Sequence, residues 1–437
     1  MRVANPSSGK RGRRRSELSK SAGPNRGQSD CTEECRDARS SRAPGKGATE
    51  MNDVLERMNA KRLTSSQLAQ FEGVEDSDPS LVFKDVDRLP TDVYVSAERY
   101  ALEQQKLFRG RAIPVGVSDM LPAPRTRIVV DDYGPSILLT RDEEGTVHAF
   151  HNICTHRAIR LCQSHETEKG GLMTCPYHAW SFDMKGRLKT LPRPEVFPGL
   201  QKEQMGLIEL EALEAGGIIW VNIDKDAKAD FSIVEGPLAA DLDALDMGQQ
   251  KICKHLRVEV QANWKLIVDS FSENYHVTRL HSGSLGGMFI DRKTSCTMVG
   301  EHLRVMSGRS GFRQGDQVET FEEFRQSAVL HYTIVPGALL ITSPTYISLM
   351  LLSPQAVDRT VVNYYLLVDR LPETDREVAH YEKSLALMTR ITTEEDFWVA
   401  ELGTVAAREG VISHITCGGM EREIVRFHES VDLLLNA

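Results

Sequence analysis

Two short segments of this 437-residue chain each pair a cysteine with a histidine. The first is Cys154-Thr-His156; the second, eighteen residues further on, is Cys175-Pro-Tyr-His178. Each places a thiolate and an imidazole within two or three residues, at what reads as the tip of a β-hairpin loop. A mixed-ligand [2Fe–2S] centre needs this set, with one iron on two Cys sulfurs and the other on two His nitrogens. Imidazole is neutral where thiolate is anionic, so the potential rises on the order of several hundred millivolts above an all-Cys cluster. A structural zinc site uses the same atoms, but its usual halves are C-x2–4-C and H-x3–5-H. The spacings C-x-H and C-x2-H do not fit that pattern. Cys162 and His165 lie between the halves and are read as loop residues, since four ligands are already supplied.

A second constellation follows: Asn263-Trp-Lys, then Asp269-Ser-Phe-Ser-Glu273-Asn-Tyr-His276, then His281. On a helix Glu273 and His276 share a face. His276 and His281 would sit about 140° apart around the axis. Both reach one metal only if the helix ends or bulges between them. Two histidines and one carboxylate on one face of Fe(II), with the other positions open, make an oxygen-activating site. The third ligand must come from elsewhere. Asp396, in Thr392-Thr-Glu-Glu-Asp-Phe-Trp on a predicted helix, is the best candidate, and Glu394 and Glu395 are rivals by position. Taken alone, two histidines on an amphipathic helix are more often core or surface residues than ligands. The Cys/His segments upstream shift that balance.

The stretches His151-Asn-Ile-Cys-Thr-His-Arg and Cys175-Pro-Tyr-His-Ala-Trp-Ser-Phe-Asp-Met-Lys-Gly-Arg-Leu resemble the cluster loops of Rieske oxygenases. Ala158 and Ala179 stand where that family commonly has Gly. The run Asn263-Trp-Lys…Glu273-x-Tyr-His276-x4-His281 is similar to the mononuclear-iron motif of the catalytic (alpha) subunits of the Rieske non-haem iron oxygenases. The resemblance implies a Rieske cluster on Cys154, His156, Cys175 and His178. It implies Fe(II) on His276, His281 and Asp396. It casts Glu273 as the acid that bridges to a cluster histidine, His156 or His178, of a neighbouring subunit. Expected companions are a flavin/NAD(P)H reductase with or without a ferredoxin, O2 and a small organic substrate. The assembly would be a homotrimer, with or without a beta subunit. The expected reaction is hydroxylation or oxidative demethylation, by default of an aromatic compound. A quaternary ammonium compound is the second choice, favoured by Glu where many members have Asp. A Rieske electron carrier without oxygen chemistry is the rival class.

Strand-like runs at Arg127-Ile-Val-Val, Ser136-Ile-Leu-Leu-Thr, Val147-His-Ala-Phe and Gly217-Ile-Ile-Trp-Val-Asn-Ile are punctuated by turns such as Asp132-Tyr-Gly-Pro. They predict a small all-β Rieske domain over 107–225. Beyond it, helical patterning at Asn263–Leu280, Thr392–Arg408 and Met420–Leu434 surrounds strand-like runs at His331–Val335, Leu339–Thr342, Ile347–Leu352 and Val361–Val368. The fold class is therefore α+β. A helix-covered antiparallel sheet over 226–437 forms the catalytic domain, with 83–106, including a helix near Glu98–Phe108, packing on it. Phe271, Met288, Phe289, Tyr346, Met350 and Phe397 are candidates for a substrate pocket, though such residues are commonly ordinary core.

Residues 1–50 hold 12 Lys/Arg and 6 Asp/Glu with almost no bulky apolar residue, and read as a solvated, disordered tail. A metal site on Cys31 and Cys35 within it is not expected, and Met51 is a candidate natural start. The remainder carries 41 basic and 56 acidic side chains, which argues against nucleic-acid binding by the folded part. No apolar run is long enough for a membrane span, and the Arg-rich start lacks the apolar core of a secretory signal. A cytoplasmic location is expected. No G-x-G-x-x-G fingerprint is present, so electrons must come from a separate protein.

Overall fold

The computed structural model describes residues 61–74, 86–226, 230–285, 287–313 and 318–437. The tail 1–50, with Cys31 and Cys35, and Met51 lie outside the described residues, as does the Phe289 side chain.

The first half of the described chain is built from short antiparallel strands. Glu209–Leu210, Val147–His151, Ile137–Arg141, Thr126–Val130 and Glu168–Lys169 form one sheet in that order. Ala212–Ala215, Ile218–Val221 and Ile113–Val117 form a second. A third holds Met173–Thr174, Ser181–Phe182 and Leu188–Thr190. The expected strands of this region are all present. Their alternating apolar side chains divide between two cores, one of which packs Leu138, Phe150, Trp180 and Phe182 around Cys154 and Cys175.

The second half centres on a seven-stranded antiparallel sheet. Its order is Lys251–Val260, Arg359–Val368, Ile347–Ala356, Ala338–Thr342, Ala328–Ile334, His302–Arg309 and Phe289–Val299. Helices Trp264–Ser272, Asp375–Arg390, Phe397–Glu409 and Arg422–Asn436 accompany it. The chain before the first half returns to this part, where Asp87–Pro90 pairs antiparallel with His414–Cys417.

Helix Trp264–Ser272 carries the histidine segment and is tied down at its start. Asn263 caps it, its side chain accepting from the Lys265 N–H at 3.0 Å and donating to the Val357 carbonyl at 2.7 Å. Lys265 is buried and meets both oxygens of buried Glu103, at 2.7 and 2.8 Å. Trp264 Nε1 donates to the same carboxylate at 2.9 Å. One turn before Glu273, Asp269 accepts from Tyr94 Oη at 2.7 Å and contacts His428 Nε2 at 3.1 Å. Such interior polar groups are tolerable only when partnered, which fixes the helix in one rotation.

Candidate iron sites

The two Cys/His segments adopt the same backbone turn. The tip Cys175–Trp180 closes the hairpin of Thr174 and Ser181, and the Ile153–Arg160 bridge closes the tip Cys154–Ile159. In each tip the cysteine N–H donates to the sixth residue's carbonyl at 2.8 Å, Ile159 or Trp180. The fifth residue's N–H returns to the cysteine carbonyl at 3.0 Å. That fifth residue is Ala158 or Ala179, with φ of 55° and 57°. These are left-handed conformations that cost an L-residue about 1–2 kcal/mol. The two alanines that stand where the family commonly has glycine thus hold strained, left-handed turns.

Both cysteines are buried. Burial pushes the Cys154 thiol pKa up, and the neighbouring Cys175 sulfur raises it further. The imidazoles of His156 and His178 lie 4.6 Å apart between ring centroids. His156 also stacks on buried Trp180, at 4.6 Å and 6°. Burial, together with the charges of His178 and Arg157, lowers the His156 pKa and so favours its neutral, ligating form. His178 Nδ1 is buried with no hydrogen-bond partner among the described residues. Two facing thiols and two close imidazoles, one with an orphaned buried nitrogen, fit a Cys2His2-ligated [2Fe–2S] cluster.

The second site forms where a helix breaks. Trp264–Ser272 stops at Glu273, which takes extended backbone angles. His276 and His281 then flank the single turn Val277–Leu280. The break divides the Asn263–Leu280 helical stretch of the sequence reading ahead of His276, and the two imidazoles stand at the two ends of the short helix that follows. The bulge device appears opposite them, where Asp375–Arg390 runs through the π-turn Ile391–Asp396 into Phe397–Glu409.

Three atoms converge there. His276 Nε2 lies 3.2 Å from His281 Nε2, and Asp396 Oδ1 lies 3.7 Å from the first and 3.1 Å from the second. Asp396 is buried, with His281 Nε2 as a contact of its Oδ1. Among the described residues, His276, His281 and Asp396 form a group of potential donors whose ligand atoms lie within 4.8 Å of one another. Two imidazole nitrogens and a carboxylate oxygen fit Fe(II) with open positions.

The outer nitrogens are held as well. His276 Nδ1 contacts Glu273 Oε1, and His281 Nδ1 lies 2.5 Å from Glu395 Oε2. Ser284 Oγ donates to the same Glu395 oxygen at 2.7 Å. Burial opposes protonation of His281, but Asp396 and Glu395 outweigh it and its pKa is raised. Burial raises the Asp396 pKa. Of the three adjacent acids, Asp396 therefore faces the convergence point and Glu395 braces a ligand candidate. Glu273 accepts from the backbone N–H groups of Tyr275 and His276, the latter at 3.1 Å, and within this chain it is committed to His276. Position in the sequence did not separate Glu395 from Asp396, though the family resemblance singled out Asp396; the π-turn lets these neighbours address the two nitrogens of the His281 ring.

A cavity of about 350 Å³ opens beside this group. Of the expected pocket residues, Phe271, Met288 and Tyr346 line it. Met350 is instead buried in the sheet core, and Phe397 packs edge-on against Phe271 at 6.3 Å between ring centroids. Arg309 and His331 also line the cavity and had no signal in the sequence.

Residues 111–202 match the family described as Rieske [2Fe-2S] domain, and residues 247–437 match Ring hydroxylating alpha subunit (catalytic domain). The chain belongs to the Rieske non-haem iron oxygenase family, whose members carry a Rieske cluster and a mononuclear iron. It is 30% identical to the glycine betaine monooxygenase oxygenase subunit of Pseudomonas aeruginosa over 51% of this chain and 55% of that protein. It is 27% identical to the carnitine monooxygenase oxygenase subunit of Escherichia coli over 68% of this chain and 78% of that one. The chain spans about half the length of the first of these and its near equivalents. The crystal structure of the quaternary ammonium Rieske monooxygenase CntA with L-carnitine shares the fold, with a TM-score of 0.67 at 20% identity, over 82% of this chain and 96% of that one.

Proposed function

We propose that this chain is a terminal oxygenase that hydroxylates or oxidatively demethylates a small quaternary ammonium compound. It would use O2 and two electrons from a separate reductase. One oxygen atom enters a C–H bond of the substrate; the other leaves as water with two protons. The observation that carries the reading is the convergence of His276 Nε2, His281 Nε2 and Asp396 Oδ1 on one point at the wall of a cavity. The relatives' names move the substrate from the aromatic default to quaternary ammonium compounds.

In this reading Cys154, His156, Cys175 and His178 hold the cluster, and His276, His281 and Asp396 hold the iron. The cluster supplies one-electron storage and the ferrous ion supplies O2 activation. The chain's own residues orient these groups. Glu273 and Glu395 fix the rotation of the two imidazoles and raise their basicity through the outer nitrogens. The apolar lining, Phe271 and Met288 among it, keeps water from the reacting carbon. The Rieske domain is taken as 107–225 and the catalytic domain as 226–437, with 83–106 packed on the latter.

We further propose a cytoplasmic homotrimer in which Glu273 would link the mononuclear site of one subunit to a cluster histidine, His156 or His178, of the next. Tyr177 beside His178 and Tyr275 beside His276 are 52% and 63% exposed, as residues awaiting a partner surface would be. No helix among the described residues is long and apolar enough to cross a membrane.

The test is oxygen uptake by the iron-loaded protein with a surrogate reductase, across quaternary amines and aromatic acids. Uptake coupled stoichiometrically to a dealkylated or hydroxylated product is expected. Substrate binding with no coupled uptake, in protein that holds both iron centres, would refute it.

A further inference from the structure

The cavity beside the three convergent ligand atoms reaches the surface where Met288, Thr345 and His380, all exposed, line it. Two elements frame that mouth. One is the turn Ser343–Tyr346, closed by the Ser343 N–H donating to the Tyr346 carbonyl at 2.8 Å. The other is helix Asp375–Arg390, which gives His380, Ser384 and Leu387 to the cavity at the four- and three-residue spacing of one helical face.

This helix is a lightly held wall. None of its 16 residues is buried, and half-buried Tyr381, Leu385 and Met388 pack against the core. A segment with so little buried apolar surface opens locally at low cost. Its two ends are held differently. At the C-terminal end Arg390 Nη2 donates to the Gly283 carbonyl at 3.2 Å, and beyond the π-turn Ile391–Asp396 begins Glu395 holds His281. The first half is held at the mouth by one residue. His380 Nε2 lies 2.9 Å from Thr345 Oγ1, and Tyr381 Oη donates to the Thr345 carbonyl at 3.4 Å. The ion pair of Lys254 with Glu382, at 3.9 Å, is exposed and contributes little. A π-turn interrupts the regular ladder and is a place where helices bend. The first half is thus free to tilt while the end that carries Glu395 and Asp396 stays in place.

We infer that substrate enters and product leaves between the turn Ser343–Tyr346 and the first half of helix Asp375–Arg390, and that the Thr345–His380 contact pins this mouth shut. The inference rests on the cavity being the oxygenase site. The pin is made in the closed state whether the cavity is empty or filled, and it is broken while the mouth is open. Weakening it therefore speeds entry and release by the same factor and leaves affinity unchanged. A side chain that gripped the ligand would instead change affinity, chiefly through release.

The test uses the full-length, anaerobic, iron-loaded protein. Thr345→Val removes the hydroxyl at nearly constant shape, and His380→Ala removes the imidazole. Thr345→Ser keeps the hydroxyl and should behave as wild type. In hydrogen exchange, amides 378–386 should exchange about 2- to 12-fold faster in Thr345→Val and His380→Ala, the range for one net hydrogen bond. Those of Phe397–Glu409 should not change. In stopped-flow binding of glycine betaine, association and dissociation rates should rise together by that factor, with Kd unchanged. Benzoate is the second probe, and failure of both to bind overturns the inference. So does unaltered exchange in both variants, or acceleration spread equally over Phe397–Glu409. A changed Kd at constant association rate makes these residues ligand contacts and overturns it too. Oxygen uptake separates the two readings: matched acceleration without coupled uptake keeps the mouth and loses the oxygenase. Coupled uptake with unaltered rates does the reverse.

Discussion

Removing the Glu395 carboxylate should weaken mononuclear iron binding while leaving the cluster untouched. Glu395 Oε2 holds His281 Nδ1 at 2.5 Å, and Ser284 Oγ anchors the same oxygen at 2.7 Å. Its side chain is only 18% exposed, so water cannot readily take over the contact. Outer partners of ligating histidines typically contribute about 10- to 100-fold in metal affinity, or roughly 1.4–2.7 kcal/mol. Glu395→Gln keeps an acceptor for His281 and should fall at the low end; Glu395→Ala leaves the imidazole unbraced and should fall at the high end. Competitive Fe(II) titration against a chelator measures the change, with the cluster's visible absorbance as internal control. Unchanged affinity in Glu395→Ala would refute the bracing role. Iron retained in Asp396→Ala but absent from Glu395→Ala would make Glu395 the ligand.

Ala158→Gly and Ala179→Gly should each raise stability by about 1 kcal/mol, because both alanines hold left-handed angles; thermal melts of the oxidised holoprotein check this. Removing Glu103 strands the buried Lys265 ammonium, so Glu103→Ala should destabilise by about 3–5 kcal/mol in denaturant titrations. Burial pushes the Glu423 carboxyl up to about 7 from an ordinary 4.5. The native state therefore keeps a proton that the unfolded chain has released, so this contribution is full below about pH 4.5 and is lost as pH rises through 7. Glu423→Gln should then stabilise by up to about 3 kcal/mol at pH 8 and have little effect at pH 4.5, read from stability curves at the two pH values.

The cluster loops were legible in the sequence because each carries its Cys/His pair within four consecutive residues, and a hairpin tip is local structure. The histidine pair was legible with a condition attached: His276 and His281 cannot share a metal on a continuous helix, and the short helix Val277–Leu280 does end at His281. Asp396 was singled out from its neighbours by the family resemblance and not by its position, because the π-turn that sorts the acids is not written in local spacing. Strands Lys251–Val260 and His302–Arg309 passed unnoticed. The first alternates Lys, His and Arg with apolar residues on a half-exposed edge of the sheet. The second owes its place to register: His331 is remote in sequence from Val305 and stands opposite it through a pairing no local pattern encodes.

The central claim is a mononuclear Fe(II) held by His276, His281 and Asp396 in addition to a two-iron cluster. Iron analysis of anaerobically reconstituted protein, read with its cluster spectrum, tests it most directly. Wild type should hold about three irons per chain, and His276→Ala about two with the cluster spectrum unchanged. A wild-type protein with a full cluster but no third iron, or a His276→Ala variant that still holds three, would contradict it.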